Sequence, residues 1–244
     1  MGARGAALVT GAARRIGRAL ALAAADAGYD VAVHHRESAE DAQATAVAIR
    51  EKGVRAEVIA ADLDDEPARL VEQANAALGP LTLLVNNASV FLDDTLQTLT
   101  REHWNAHMAA NLHAPVALTQ AFAAQGVECL VVNIVDQRVW RPNPQFFSYS
   151  LSKAGLWWAT RTMAQALAPR IRVNAIGPGP TLPSIHQSAE DFEAEAANIL
   201  LERRVTPGEI AAALRYLIDA PLVTGQMIAV DGGQHLGWRT PDIA

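Results

Sequence analysis

The sequence predicts an α/β fold: a doubly wound parallel sheet of about seven strands with helices on both faces. Three observations carry the prediction. Short runs rich in Val, Leu and Ile alternate with longer segments of helical spacing along all 244 residues. Several short runs, Leu81–Val85 and Leu130–Val135 among them, are almost wholly apolar, as strands covered on both faces must be. Glycine and proline recur where the period changes. Crossovers of the usual right hand then place a ligand at the carboxyl ends of the strands. There is no long linker, repeat or low-complexity tract, so one domain spanning 1–244 is expected.

The first strand, Ala6–Val9, ends at Thr10-Gly11, and the Ala/Leu-rich stretch 13–28 is helical up to Gly28. Val31–Val33 is a second strand, followed by a helix over 39–52 that stops at Gly53. Val54–Ala60 is the third strand. Glu66-Pro67 opens a helix to Leu78, because proline suits a first helical turn, and Gly79-Pro80 closes it. Leu81–Val85 is the fourth strand, and the long helical region 101–125 holds Pro115 as a kink or a boundary. Leu130–Val135 is the fifth strand, the next helix runs from Tyr149 to Leu167, and Ile171–Ile176 is the sixth strand, ended by GPGP. Helical patterns over 189–202 and 207–219 precede the last strand, Met227–Val230. The expected core is Leu8, Val9, Val31, Val33, Val58, Leu83, Val85, Val131, Ile134, Val173 and Ile228.

Composition narrows the function classes. Hydrophobic residues make up 50%, which excludes a disordered chain. The net charge of -6 and the lack of a basic tract argue against a nucleic-acid partner. Cys129, the only cysteine, lies in an apolar run and reads as a small buried thiol; metal-ligand spacing is absent, so no metal is expected. No apolar run approaches a membrane span, and MGARGAALVT is too short for a signal peptide, so a soluble cytoplasmic protein is expected.

Two stretches carry chemistry. In VNIVDQRVWRPNPQFFSYSLSK, residues 132–153, Asp136 ends a strand, while Tyr149 and Lys153 are four apart on one helical face. A cationic Lys beside a phenol favours the phenolate and lowers its pKa towards the working range of an acid or base. Asp136 is placed to orient a substrate or to hydrogen-bond the Tyr. The other stretch, Thr10 to Gly17, joins the first strand to its helix. Glycine there lets the backbone approach a dinucleotide pyrophosphate, which the helix N-terminus favours with free N–H groups and partial positive charge. At the end of the second strand stands His34-His35-Arg36-Glu37-Ser38, without the strand-terminal acid that would bind a ribose 2′-hydroxyl. Arg15 and Arg36 are expected to clamp a 2′-phosphate, with Ser38 donating a further bond, which favours NADPH; Glu37 is a mild counter-argument.

With Asp62 after the third strand, Asn86-Asn87-Ala88 after the fourth, Asn111, Pro178-Gly179 and Asp231-Gly232-Gly233 in register, the chain resembles the short-chain dehydrogenase/reductases along essentially its whole length. The resemblance implies a Rossmann-type fold and roles for these residues. Asp62 contacts adenine, and Asn86-Asn87-Ala88 stabilises the sheet and lines the cofactor site. Tyr149 is the proton donor, Lys153 holds the nicotinamide ribose and lowers the Tyr pKa, and Asn111 anchors a water in a proton relay. The implied cofactor site takes in Gly11, Arg14, Arg15, Ile16, Gly17, His34, Arg36, Ser38, Asp62, Leu63, Asn87, Ala88, Ser89, Tyr149, Lys153, Pro178 and Gly179.

The departures are as informative. Asp136 stands at the family's usual Ser position, Arg15 at the middle glycine of the turn, and Asn86-Asn87-Ala88 continues as Ser89-Val90-Phe91. This combination is similar to the pteridine reductase branch, including bacterial dihydromonapterin reductases. Reduction of a pterin C=N bond needs a hydride to carbon and a proton to nitrogen, the latter from Tyr149 backed by Lys153 and Asp136. Asp136 and Ser89 suit the polar edge of a pterin, and Phe91 with the nicotinamide is expected to sandwich the flat ring, unless Phe91 simply packs on the core. The expected activity is NADPH-dependent reduction of dihydromonapterin, dihydrobiopterin or dihydrofolate. The alternatives are a reductase of a ketone such as a 3-oxoacyl thioester, which Asp136 opposes, and a catalytically idle dinucleotide sensor, which Asn111, Tyr149 and Lys153 oppose. The segment 181–201 is expected to act as a lid. Arg203 either reaches the site or is a surface residue, Trp238 is a candidate to reach a neighbouring subunit's site, and a homotetramer through the Trp157-Trp158 helix is implied by the family alone.

Overall fold

The computed structural model describes residues 4–183 and 188–238. Its strands are β1 (Ala6–Val9), β2 (Asp30–His35), β3 (Ala56–Ala60), β4 (Leu81–Asn86), β5 (Cys129–Ile134), β6 (Ile171–Pro178) and β7 (Met227–Val230). They form one parallel sheet in the order β3-β2-β1-β4-β5-β6-β7. The order reverses direction between β1 and β4, so the loops after Val9 and after Asn86 diverge and leave a crevice at the strands' carboxyl ends.

Both sheet faces are covered, which explains why the central strands carry no polar alternation. On one face α1 (Arg15–Asp26), α2 (Ala39–Arg50) and α8 (Pro207–Asp219) bring Leu20, Ile49 and Leu214 onto Val9, Val33, Val85 and Val132. On the other, α3 (Pro67–Leu78), α5 (Ala114–Ala123) and α6 (Phe147–Leu167) bring Leu70, Phe122 and Ala164 onto Leu8, Leu84 and Val131. Val58 and Ile228, expected in the core, are only partly buried because β3 and β7 are the sheet edges.

Three expectations are corrected. β2 runs to His35, so His34 and His35 belong to the strand and not to its exit. The long helix over 101–125 is broken into α4 (Arg101–Met108) and α5 by a π-helical turn, Ala109–His113, just ahead of Pro115; such turns recur at functional sites, and this one carries Asn111. The pattern 189–202 is helical only as α7 (Ala189–Ala197), after which Glu202 turns through φ +51°.

Candidate active site

The crevice between β1 and β4 is closed at its floor by a polar clasp. Thr10 Oγ accepts the backbone N–H groups of Asn87 and Ala88 at 2.9 Å each, while Asn87 Nδ2 donates to the Thr10 and Gly11 carbonyls at 2.8 and 3.1 Å. Gly11 turns at φ +61°, and a Cβ on Gly17 would lie 2.0 Å from the Gly11 carbonyl oxygen, so the helix packs where only glycine fits. Arg14, at the N-cap of α1, makes no side-chain cap bond, and the first turn holds no acid, so the orphan N–H groups of α1 stay open to an anion. These features suit the phosphates of a dinucleotide. A cleft of about 410 Å³ runs from this turn past Arg36, Ser38, Asp62 and Leu63, with Ala88 and Ser89 on its other wall. Asp62 accepts the Asp64 N–H at 3.0 Å, and Arg36 pairs loosely with Glu37 at 3.4 Å, an exposed contact that leaves the guanidinium available.

Two residues of the predicted cofactor site, His34 and Arg15, are held by protein partners. His34 is buried; its Nδ1 accepts the Gly11 N–H at 3.0 Å, so Nε2 carries the proton and donates to the Ala61 carbonyl at 3.1 Å. Burial pushes its pKa down to about 4, so it is a neutral strut under the glycine turn and not a cation for a phosphate. Arg15, at φ +54°, lines the same cleft as Arg36 and Ser38, and its guanidinium also donates to the Leu182 and Pro183 carbonyls at 3.3 and 3.0 Å, spanning the crevice to the segment after β6.

A second cavity of about 740 Å³ adjoins the first and shares Arg15, Ile16, Asn87 and Ser89 with it. Asp136, Tyr149, Lys153, Pro178 and Gly179 line it. Tyr149 Oη donates to Asp136 Oδ2 at 2.9 Å, and the other carboxylate oxygen accepts the Arg138 N–H at 2.8 Å, which fixes its plane. Lys153 Nζ donates to the Ile134 carbonyl at 2.9 Å and lies 5.7 Å from the Tyr149 ring centre. The expectation that Lys153 draws the phenol's pKa down is not met. Burial, reinforced by the Asp136 charge and its hydrogen bond, pushes Tyr149 well above the usual phenol range, with Arg138 opposing. Burial also lowers Lys153 to about 8, with Asp136 opposing. Tyr149 is therefore held as a proton donor beside an ammonium and a carboxylate.

Asn111 touches this cluster from behind. Its side chain accepts from Val90 N and Ser89 Oγ at 2.8 and 3.0 Å and donates to the Val90 carbonyl and Ser152 Oγ at 2.9 and 3.1 Å. That side chain is fully engaged in tying the Ser89-Val90 loop to α6, so a water in a relay would have to be held by its backbone. Phe91 lines the cavity, but its ring stacks on Phe146 at 4.3 Å and meets Tyr149 edge-on at 4.7 Å, with Arg138 over both phenyl rings. The Phe91 ring is thus held by Phe146 and Tyr149 within the cavity wall where a flat ring was expected to stack on it. Sequence reasoning missed Phe146, a non-glycine residue at φ +52°; its only signal was its place in the Pro-rich loop before Tyr149. It also missed Gln137, Phe192 and Gln234 in the cavity wall.

Part of the segment expected as a lid lines the cavity: Phe192 of α7 is buried, and Glu195 accepts from Gln234 Nε2 at 2.9 Å. Residues 184–187 of that segment lie outside the described residues. Arg203 pairs with Glu209 at 3.3 Å and lines neither cavity, and Trp238 is exposed at the end of the described chain. Trp157 packs against Trp140 at 6.2 Å while Trp158 is 65% exposed. Cys129 is buried, with its thiol pushed up to about 11.

Two adjoining clefts, one shaped for a dinucleotide's phosphates and one holding a protonated phenol, serve a single purpose in an oxidoreductase that borrows its hydride from a nicotinamide. Comparison with known proteins agrees. A family profile described as enoyl-(acyl carrier protein) reductase matches residues 11–235. The 3-oxoacyl-[acyl-carrier-protein] reductase FabG of Staphylococcus epidermidis is 32% identical over 240 residues, covering 94% of this chain and 98% of that one. FolM alternative dihydrofolate reductase 1 from Brucella suis, crystallised with NADP, is 50% identical, covers 100% of both chains and superposes with a TM-score of 0.96. A blue fluorescent protein from a metagenomic library, in complex with NADPH, is 32% identical over 95% of this chain and 98% of that one, with a TM-score of 0.89. The chain belongs to the short-chain dehydrogenase/reductase family and is an enzyme, an oxidoreductase.

Proposed function

We propose that this enzyme is a pteridine reductase that uses NADPH to take a dihydropterin to its tetrahydro form. The cofactor is NADP(H), in keeping with the ligands of the similar solved structures. The residues fit it: the uncapped start of α1 and the Gly11–Gly17 turn for the pyrophosphate, Asp62 and Leu63 for the adenine, and Arg36 with Ser38 for the 2′-phosphate. Bound NADPH supplies the hydride. Tyr149 supplies the proton to the ring nitrogen. Lys153 beside it offsets the phenolate that this leaves, and the Asp136 carboxylate favours its reprotonation.

The observation that carries the pterin reading is the Tyr149–Asp136 hydrogen bond. A hydroxyl polarising a ketone oxygen is replaced by a carboxylate, whose remaining lone pairs match N–H donors on an aminopyrimidine and not the lone pairs of a carbonyl oxygen. The 50% identity to an alternative dihydrofolate reductase supports it.

A second reading, reduction of a 3-oxoacyl thioester, rests on the FabG relatives. NADPH oxidation with dihydromonapterin, dihydrobiopterin, dihydrofolate and an acetoacetyl thioester separates the two. Turnover of a dihydropterin that is lost in Asp136→Ala and Tyr149→Phe is expected; turnover of the thioester alone overturns the pterin reading. The enzyme acts as a homotetramer joined through α4, α5 and α6, where Trp104, Val116, Leu151 and Trp158 are exposed. A monomer in sedimentation would refute that.

A further inference from the structure

A chain of buried polar groups lies behind the Tyr149 ring and takes no part in the chemistry above. Asp94, His107 and Ser148 are each at most 1% exposed and come from the loop after β4, from α4 and from the start of α6. Leu92 N donates to His107 Nε2 at 3.0 Å, so the ring proton is on Nδ1, which donates to Ser148 Oγ at 2.7 Å. That hydroxyl, in turn, donates to Asp94 Oδ2. Every donor and acceptor along the chain is therefore fixed in one direction, starting and ending on the loop that carries Phe91.

The same carboxylate caps a helix to which it does not belong. Phe146, at the N-cap of α6, makes no side-chain cap bond and sits in the left-handed region. Asp94 replaces it from across the fold: its carbonyl accepts the Phe147 N–H at 3.1 Å and its Oδ1 accepts the Ser148 N–H at 3.0 Å. A negative charge at this end of α6 is also favoured by the helix dipole. Tyr149 follows directly, and its ring lies 5.9 Å from the His107 ring. Burial keeps His107 towards its neutral form, with His103 and Lys153 acting the same way and Asp94 opposing.

We propose that Asp94, Ser148 and His107 are positioning residues that set the Tyr149 hydroxyl against the Phe91 wall, so that their loss slows the proton-transfer step without loosening the cofactor. The proposal rests on Tyr149 as proton donor and not on the identity of the substrate. It singles out Ser148, whose hydroxyl alone joins the histidine to the carboxylate. In Ser148→Ala the backbone cap remains while the link is cut. In Asp94→Asn an amide NH₂ group faces the hydroxyl, whose proton then has no acceptor in a buried site.

The test reads kcat at saturating NADPH, on whichever substrate of the panel the unaltered enzyme reduces, together with the Kd for NADPH from its fluorescence. A displaced reacting group is costly, so Ser148→Ala is expected to lower kcat about tenfold and Asp94→Asn by more, both with NADPH affinity within about twofold of the original. An unchanged kcat in Ser148→Ala overturns the proposal, as does a fall in NADPH affinity that tracks the fall in kcat. If Asp94→Asn fails to fold, Ser148→Ala decides alone. Should the unaltered enzyme reduce nothing in the panel, the proposed function fails while the hydrogen-bond chain that does the positioning is still judged by ¹⁵N spectra of His107. A neutral Nδ1–H ring at pH 7 supports that chain, and a charged or Nε2–H ring rejects it.

Discussion

Lowering the pH from 7 to 5 should destabilise this enzyme through His34 in particular. Its ring is buried between the Gly11 N–H and the Ala61 carbonyl and has a pKa of about 4, against roughly 6.5 for an unfolded histidine. The unfolded chain therefore takes up the proton first, and the stability that His34 contributes is present above pH ~6.5 and lost as the pH falls towards 4. Between pH 7 and 5 the two pKa values give a loss of about 2 kcal/mol, which for a chain of this size is roughly 4–8 °C in Tm. Protonation of the folded ring, which comes only as the pH approaches 4, would set a new Nδ1–H against the Gly11 N–H, so the glycine turn loosens and NADPH affinity falls there and not between pH 7 and 5. Other groups titrate too, so the assay is a difference: thermal melts of the cofactor-free protein and of His34→Gln at pH 7 and pH 5. A glutamine amide accepts at one end, donates at the other and does not titrate. The variant's Tm should fall less than the unaltered protein's by that margin. Equal falls in both proteins would refute the assignment of His34 as a neutral buried strut.

Gly17→Ala places a Cβ 2.0 Å from the Gly11 carbonyl oxygen and should abolish NADPH binding in a fluorescence titration while costing roughly 1–3 kcal/mol of stability. Arg36→Ala should raise the KM for NADPH about tenfold or more and leave that for NADH unchanged, as expected when a charged hydrogen bond to a 2′-phosphate is lost. Arg15→Ala, whose guanidinium is bonded to Leu182 and Pro183, should affect both cofactors alike; steady-state kinetics with each cofactor separates the two arginines. Tyr149→Phe should lower kcat by roughly 10²- to 10⁴-fold with NADPH affinity retained, the range for removal of a general acid. Cys129, buried with its pKa at about 11, should resist alkylation at pH 7 in the folded enzyme and react once denaturant exposes it, which mass spectrometry will show.

Much of this enzyme is written in local patterns. Alternation of apolar runs with helical spacing is a property of neighbouring residues, so the strands and the parallel, doubly wound class of the sheet could be read directly, while the strand order came from the structure. The same holds for Tyr149 and Lys153, because four residues of helix put both side chains on one face wherever the helix ends up. The glycine turn could also be read, since its chemistry is that of its own backbone. What the sequence could not supply are the partners of these groups. His34 was placed in the cofactor site with no partner of its own; burial between two backbone groups, Gly11 and Ala61, makes it a neutral strut under the turn. Arg15 was read as half of a phosphate clamp; folding also presents it with carbonyls 167 and 168 residues further along, which no local pattern announces. Lys153 was expected to govern the Tyr149 pKa; burial of the phenol, reinforced by the charge and hydrogen bond of Asp136, raises it instead. The cap of the helix that carries Tyr149 comes from Asp94, 54 residues away. Sequence alone determined the fold class and proposed the reacting groups, because both follow from short-range periodicity and residue chemistry. Only the tertiary structure decided which of those groups are charged, paired or held in place, because burial and hydrogen-bond partners belong to contacts between distant segments.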